Sequence, residues 1–98
     1  MARLRWSPEA VADLESICAY IAADSEQYAR IFARDVAVLI EELADHPRIG
    51  RIVPEYGEEN LRERIYQNYR VVYELTGKFV EIVAIAHGAR DFKNVPLR

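Results

Sequence analysis

Apolar residues recur every three or four positions through the first half of the chain, which is the spacing of one face of an α-helix. In residues 8–23 this stripe follows Ser7, a residue type that caps helix N-termini well. A second stripe fills residues 26–46 and stops before Pro47, because proline disfavours helical geometry in the residue before it. Apolar and basic residues alternate over residues 3–6. The pattern therefore predicts a short strand followed by a helical hairpin.

The second half has the period of β-strands. Residues 47–60 contain two prolines and two glycines and predict a long loop. β-Branched and aromatic residues then dominate residues 61–66, 69–75 and 78–87, and the short connections predict neighbouring antiparallel strands. The predicted fold class is α+β in one domain: a short N-terminal strand, a helical hairpin and an antiparallel three-stranded meander. The helices pack on one sheet face, and residues 88–98 form a tail.

The charge is distributed unevenly along the 98 residues. The net charge is −3, with a balance of −5 in residues 1–47 and +2 in residues 48–98. A protein that grips many phosphates usually carries a basic surplus, because each phosphate contact needs a cation. Any contact with nucleic acid is therefore expected to be local.

Composition also bears on compartment and ligands. The single cysteine, Cys18, excludes an internal disulfide framework and suits a reducing cytoplasm. No segment has the apolar length of a signal peptide or a membrane span. No metal-ligand or phosphate-loop spacing occurs. We therefore predict a cytoplasmic protein without metal, cofactor, small-molecule ligand or membrane partner.

Alternation along the last two strands predicts which side chains face the helices. A two-residue turn at residues 76–77 carries the apolar face of strand 69–75 onto strand 78–87. The helix-facing side chains are then Tyr69, Val71, Tyr73, Leu75, Val80, Ile82, Ala84 and Ala86. The opposite face takes Arg70, Glu81, Val83, Ile85 and His87.

The first hairpin has two possible registers. A two-residue loop at residues 67–68 would direct Arg62 and Arg64 toward the core, which is costly for charged groups. A loop of odd length or a bulge directs Leu61 and Ile65 inward instead, and we predict this register. The helix-free face would then display a cationic patch with Arg90 just beyond the strand end. Its other members would be Arg62, Arg64, Arg70 and His87.

The predicted open face also carries an excess of apolar side chains. An uncovered apolar patch usually indicates a partner or a folded-back segment of the chain. Either a partner or residues 92–98 is expected to cover this one. Its members are Val72, Phe79, Val83 and Ile85.

Four segments together resemble the RelE/ParE superfamily of bacterial toxins from type II toxin–antitoxin modules. They are "WSPEAVADLESI", "LADHPRIGRIVPE", "LRERIYQNYRVVYEL" and "IAHGARDF", and they cover nearly the whole chain in order. The resemblance implies the compact toxin fold and, as partner, a small antitoxin whose C-terminal segment wraps the toxin. The apolar patch defined above is then the predicted antitoxin-binding surface.

The superfamily divides by target. RelE-like members cleave messenger RNA in the ribosome, and such an enzyme would use His87 as acid or base. The phosphate would be held by Arg62, Arg64, Arg70 and Arg90. Phe92 stands where such enzymes place a tail tyrosine, and a phenylalanine cannot donate a proton. Many such enzymes also place lysines in the preceding strands, but the only lysines here are Lys78 and Lys93.

ParE-like members resemble gyrase poisons without a hydrolytic site. The segments "WSPEA", "HPRIGR" and "YRVVYEL" are more similar to that branch. Three hypotheses follow: a non-hydrolytic toxin acting on DNA gyrase, which we favour; a ribosome-dependent endoribonuclease; and an inactive homologue that retains only antitoxin binding.

Overall fold

Two helices lie on one face of a five-stranded sheet in the computed structural model, which describes residues 2–93 and Leu97. The elements in chain order are β1 (Arg3–Trp6), α1 (Pro8–Ala22), α2 (Glu26–Asp45), β2 (Arg51–Ile52), β3 (Leu61–Tyr66), β4 (Tyr69–Thr76) and β5 (Phe79–His87). The strands are ordered β1-β5-β4-β3-β2, with β1 parallel to β5 and the other pairs antiparallel. The predicted α+β class is confirmed, and β2 adds a fifth strand at the edge.

The helix termini follow the capping residues of the sequence. The Ser7 hydroxyl accepts a hydrogen bond from the Ala10 amide at 3.0 Å, and the Ser25 hydroxyl accepts one from the Tyr28 amide at 3.1 Å. Each contact satisfies an N–H that the first helical turn leaves without a backbone partner. Within the described residues, neither helix combines the length and apolar character needed to cross a membrane.

The main core lies between the helices and the sheet. Its buried residues come chiefly from α2 and from the helix-facing side of β4 and β5. They are Ala10, Phe32, Val36, Leu39, Ile40, Leu43, Val71, Tyr73, Val80, Ile82 and Ile85. Helix α1 contributes only Ala10 to the fully buried set, because the rest of its apolar stripe is half-exposed.

A β-bulge in β5 changes which side chains face the helices. Tyr73 pairs with Ile82 whereas Val72 pairs with Ala84, so Val83 is an extra residue in the ladder. The predicted faces are wrong beyond this point, because one inserted residue reverses the alternation. The residues whose predicted face is wrong are Ala84, Ala86, Ile85 and His87. The first two lie on the helix-free face and the last two toward the helices.

Helix α1 satisfies the backbone groups at the bulge. The Ser7 hydroxyl donates to the Val83 carbonyl at 3.4 Å, and the Ile85 amide donates to the Asp13 carboxylate at 2.9 Å. The same serine therefore caps the helix and anchors the strand. The turn into β5 also differs from the prediction. A two-residue turn at residues 76–77 would pair Leu75 with Lys78, whereas Leu75 pairs with Val80. The register is displaced by two residues, which leaves the faces before the bulge as predicted.

The β3–β4 hairpin has a two-residue loop at residues 67–68. Arg62 and Arg64 consequently point to the helix side of the sheet, and the predicted register is wrong. Leu61 is buried against the helix-free face, whereas Ile65 on the same face is 51% exposed.

Both arginines avoid the core because β3 lies near the sheet edge. The Arg64 guanidinium donates to the Leu39 carbonyl at 3.3 Å, in the C-terminal half of α2. The Arg62 guanidinium donates to the Gly50 carbonyl at 2.9 Å and to the Glu59 carboxylate at 2.8 Å. Long side chains of this kind cover apolar surface with their stems and place the charge among polar partners.

A second core covers the helix-free face. Loop 47–60 supplies Val53, and the segment after β5 supplies Phe92, which is 1% exposed. These side chains pack on Leu61, Val72, Val83, Ala84 and Ala86, with Tyr56 and Leu97 at the margin. The sheet is therefore sandwiched between two helices and two irregular segments of the chain.

Candidate functional site

The predicted cationic patch is not assembled. Arg70 lies on the helix-free face, whereas Arg62 and Arg64 lie on the helix side near the β2 edge. His87 is also on the helix side, but at the end of β5 opposite Tyr69. The structure therefore separates the histidine from all three strand arginines.

Arg70 is the centre of a buried ion network, defined here as Arg51, Glu55, Glu63 and Arg70. Its guanidinium contacts both Glu55 oxygens, at 2.6 and 2.8 Å, and its Nε donates to Glu63 at 2.6 Å. It also donates to the Arg90 carbonyl at 2.8 Å. Arg51 approaches the other Glu63 oxygen at 2.6 Å from the solvent side. Glu63 and Arg70 have side chains 0% and 5% exposed. Each has lost its contact with water, and the ion pairs within the network compensate for that loss.

The network ties the two irregular segments to the sheet. Glu55 belongs to loop 47–60, and its carboxylate accepts the Phe92 amide at 3.0 Å. The Arg70 guanidinium also lies 4.6 Å from the centre of the Phe92 ring. Hydrogen bonds from Arg70 lower the pKa of Glu55 to about 2 against the opposing effect of burial, and the Glu55 carboxylate raises the pKa of Arg70. The charges of Glu55, Glu63 and Arg70 therefore hold loop 47–60 and the segment after β5 against the sheet.

The Glu55 carboxylate is expected to make the fold sensitive to acid. Its folded pKa of about 2 lies below the ordinary 4.5, so the folded state binds protons less readily than the unfolded state. The contribution, about 3 kcal/mol, is complete above pH 4.5 and is lost as the pH falls toward 2. Urea unfolding of the wild type and Glu55→Gln between pH 5 and 2.5 measures it. The two stabilities should converge in acid; a constant difference would contradict the assignment.

His87 ends β5 at an exposed position. Its Nδ1 accepts the Ala89 amide at 3.2 Å, and its ring meets that of Tyr69 edge-on at 5.9 Å between centroids. Arg90 and His87 line the same cavity on the helix side of the sheet. Of the four arginines predicted to hold a phosphate, only Arg90 is thus near the histidine.

The predicted antitoxin surface is not open. Val72, Val83 and Ile85 are at most 5% exposed, the first two beneath the second core and the third in the main core. Phe79 is half-buried under the Arg5 guanidinium, 4.4 Å from its ring centre. Phe92 and Leu97 supply the predicted fold-back in part. Residues 94–96 and 98 of that expectation lie outside the described residues.

An aromatic groove that the sequence analysis missed lies on the helix side. Two adjoining cavities of about 400 Å³ each share Tyr20 and Tyr69 as walls, and we call them together the tyrosine groove. Tyr20 and Tyr28 are 77% and 69% exposed. Tyr28 belongs to the apolar stripe predicted over residues 26–46, so its predicted placement toward the core is wrong. The exposure of Tyr20 could have been predicted, because Tyr20 falls outside the apolar stripe of α1.

Polar groups complete the groove. The Tyr66 hydroxyl donates to Asp35 at 2.7 Å, and this hydrogen bond raises the pKa of Tyr66. Asp24 lines one cavity and Arg90 the other. Among the residues described, no group of three or more histidine, cysteine or acidic side chains could hold a metal ion. The groove therefore has the chemistry of a protein-binding surface, with aromatic anchors between polar ends.

Comparison with known proteins identifies relatives. A family model described as the ParE toxin of the type II toxin–antitoxin system, parDE, matches residues 4–92. The chromosomal ParDE TA system from P. aeruginosa is similar in structure, with a TM-score of 0.73 and 21% identity over 89% of this chain and 96% of that one. The toxin–antitoxin complex RelBE2 from Mycobacterium tuberculosis gives a TM-score of 0.61 and 21% identity, over 88% of this chain and 96% of that one. No protein of curated description matches in sequence.

Proposed function

The chain belongs to the ParE toxin family of type II toxin–antitoxin systems, and on this premise we propose that it inhibits growth by binding DNA gyrase without hydrolysing nucleic acid. We also propose that a cognate antitoxin binds and neutralises it. Both solved structures compared above are toxin–antitoxin assemblies by their descriptions, which supports an antitoxin as partner.

The dispersal of the charged side chains is the observation that carries the non-hydrolytic proposal. RNA cleavage requires an acid, a base and cations that converge on one phosphate. Here Arg70 is enclosed by Glu55 and Glu63, and it lies on the other face of the sheet from His87. Releasing Arg70 to a substrate would leave Glu55 without its cation and Glu63 with only the solvent-side Arg51. This arrangement suits a toxin that acts by binding.

Replacing His87 by Ala is expected to leave growth inhibition unchanged, because a gyrase-binding toxin has no step that needs the imidazole. His46→Ala is the matched control, since His46 is likewise exposed and lies at the end of α2. Growth after induced expression measures both variants, and antitoxin binding in vitro checks that each is folded.

Two results would contradict this expectation. Loss of inhibition in His87→Ala alone, with antitoxin binding intact, would favour a ribosome-dependent endoribonuclease that uses His87 and Arg90. Absence of inhibition by the wild type, with antitoxin binding intact, would favour an inactive homologue.

A further inference from the structure

The α2–β2 turn, residues 46–50, exposes an isoleucine that neither core buries. Ile49 is 48% exposed and belongs to neither of the two buried clusters described above. Within the described chain, it lines a cavity of about 520 Å³ together with His46, Pro47 and Arg48. A preformed cleft of this size can accept a few side chains of a partner.

Contacts with the sheet fix the backbone of the α2–β2 turn. The Gly50 amide donates to the hydroxyl of Tyr73, a fully buried residue, at 2.9 Å. The Arg62 guanidinium donates to the Gly50 carbonyl, also at 2.9 Å. A Cβ at Gly50 would lie 2.5 Å from the Glu63 carbonyl oxygen, so no larger residue fits there. Ile49 is therefore presented on a preorganised backbone, which lowers the entropy that is lost when a partner binds.

The charges beside Ile49 favour an acidic partner. The guanidiniums of Arg48 and Arg62 share one oxygen of the Glu59 carboxylate, at 2.7 and 2.8 Å. Two cations and one carboxylate give these three side chains together a net charge of +1. The Arg48 and Glu59 side chains are 57% and 64% exposed, so their ion pair is weak and can exchange for a carboxylate of the partner. A partner that places an acidic residue beside an apolar one complements this surface.

The α2–β2 turn is remote from the tyrosine groove. Tyr28 lies in the first turn of α2 and His46 follows its last residue, so the helix between them is about 27 Å long. The two surfaces can therefore bind different segments, and a substitution at one leaves the other intact. The net charge of −3 and the exposed isoleucine favour a protein rather than a phosphate backbone at the α2–β2 turn.

We propose that the α2–β2 turn is the surface through which the toxin binds the gyrase protein. The occupant is a segment of gyrase that places an apolar side chain against Ile49 and a carboxylate beside Arg48. This inference rests on the proposed function, which supplies gyrase as the target. It identifies the part of the toxin that makes the contact and the chemistry of the segment that is bound.

The test measures the dissociation constant of the full-length toxin for gyrase, both alone and bound to a DNA duplex. Ile49→Ala should weaken binding about tenfold in both states, because one apolar anchor is removed. The matched control is Ile65→Ala, which truncates an isoleucine that is 51% exposed on the helix-free face. It should change the constant less than about threefold. Thermal unfolding should be similar for the two variants, since both side chains are about half exposed.

The charge of the occupant is tested by Arg48→Glu, which should also weaken binding about tenfold. Its control is Arg34→Glu, since the Arg34 side chain is 70% exposed and likewise contacts an acidic neighbour. That variant should change the constant less than about threefold.

Three results would overturn the assignment of this surface. Unchanged constants for Ile49→Ala and Arg48→Glu, with tight binding by the wild type, would do so and leave the proposed function standing. Losses confined to DNA-bound gyrase would assign the surface to the nucleic acid instead. Failure of the wild type to bind gyrase in either state would overturn the inference together with the proposed function.

Discussion

Replacing Arg70 by Met should destabilise the protein by about 3–5 kcal/mol, the cost of removing one partner from a buried ion pair. The methionine keeps much of the side-chain volume but leaves Glu63, which is 0% exposed, with only the solvent-side Arg51. Glu55 loses both of its guanidinium contacts as well. The free energy of unfolding in urea at pH 7 measures the loss.

Two further variants separate charge from packing. Arg51→Met removes a guanidinium whose side chain is 60% exposed and should cost about 1 kcal/mol or less. Adding Glu63→Gln to Arg70→Met should restore about 1–2 kcal/mol, because the amide carries no charge to desolvate. A cost below about 1 kcal/mol for Arg70→Met would show that the network does not hold the fold.

Replacing Phe92 by Ala should cost about 3–5 kcal/mol, the range for a fully buried phenylalanine. Its ring closes the second core and lies against the Arg70 guanidinium, 4.6 Å from the ring centre. The amides of Val72 and Ala84, which lie beneath it, should exchange with solvent faster in the variant. Urea unfolding and hydrogen exchange measure the two effects.

Phe79→Ala is the matched control for this prediction. Phe79 is half-buried and its ring is covered by Arg5 rather than by the second core. Its truncation should cost about 1 kcal/mol, within the ordinary range for point mutations. Equal losses for the two phenylalanines would mean that the segment after β5 does not close the helix-free face.

Local signals in the sequence predicted the elements well, because each depends on a few neighbouring residues. Ser7 caps α1 as expected, Ser25 is a residue type equally suited to cap α2, and Pro47 follows the end of α2. The strand-forming segments around residues 61–66 and 69–75 were equally clear. Capping and proline geometry act within one helical turn, so a single sequence contains them in full.

The faces of the strands could not be predicted completely. Residues 82–86 are all apolar, so their pattern is the same whether or not Val83 forms a bulge. The bulge depends on tertiary contacts with α1, through Ser7 and Asp13. The register that turns Arg64 toward the helices is satisfied by the Leu39 carbonyl in the C-terminal half of α2, whose position relative to β3 the sequence does not contain.

The candidate site was missed for a related reason. Grouping four arginines with His87 assumed one open face, but two irregular segments cover that face and Arg70 serves to hold them. The tyrosine groove forms where α1, α2 and the β3–β4 turn meet. Residues as distant in sequence as Tyr20 and Tyr69 form its walls, so periodicity within any one element could not reveal it.

The most direct test of the central claim is a cleavage assay with purified toxin, DNA gyrase, supercoiled plasmid and ATP. We predict linear DNA, released from trapped gyrase complexes, only when toxin and gyrase are both present. Addition of the antitoxin should prevent its formation. Absence of linear DNA at toxin concentrations that arrest growing cells would contradict the gyrase proposal.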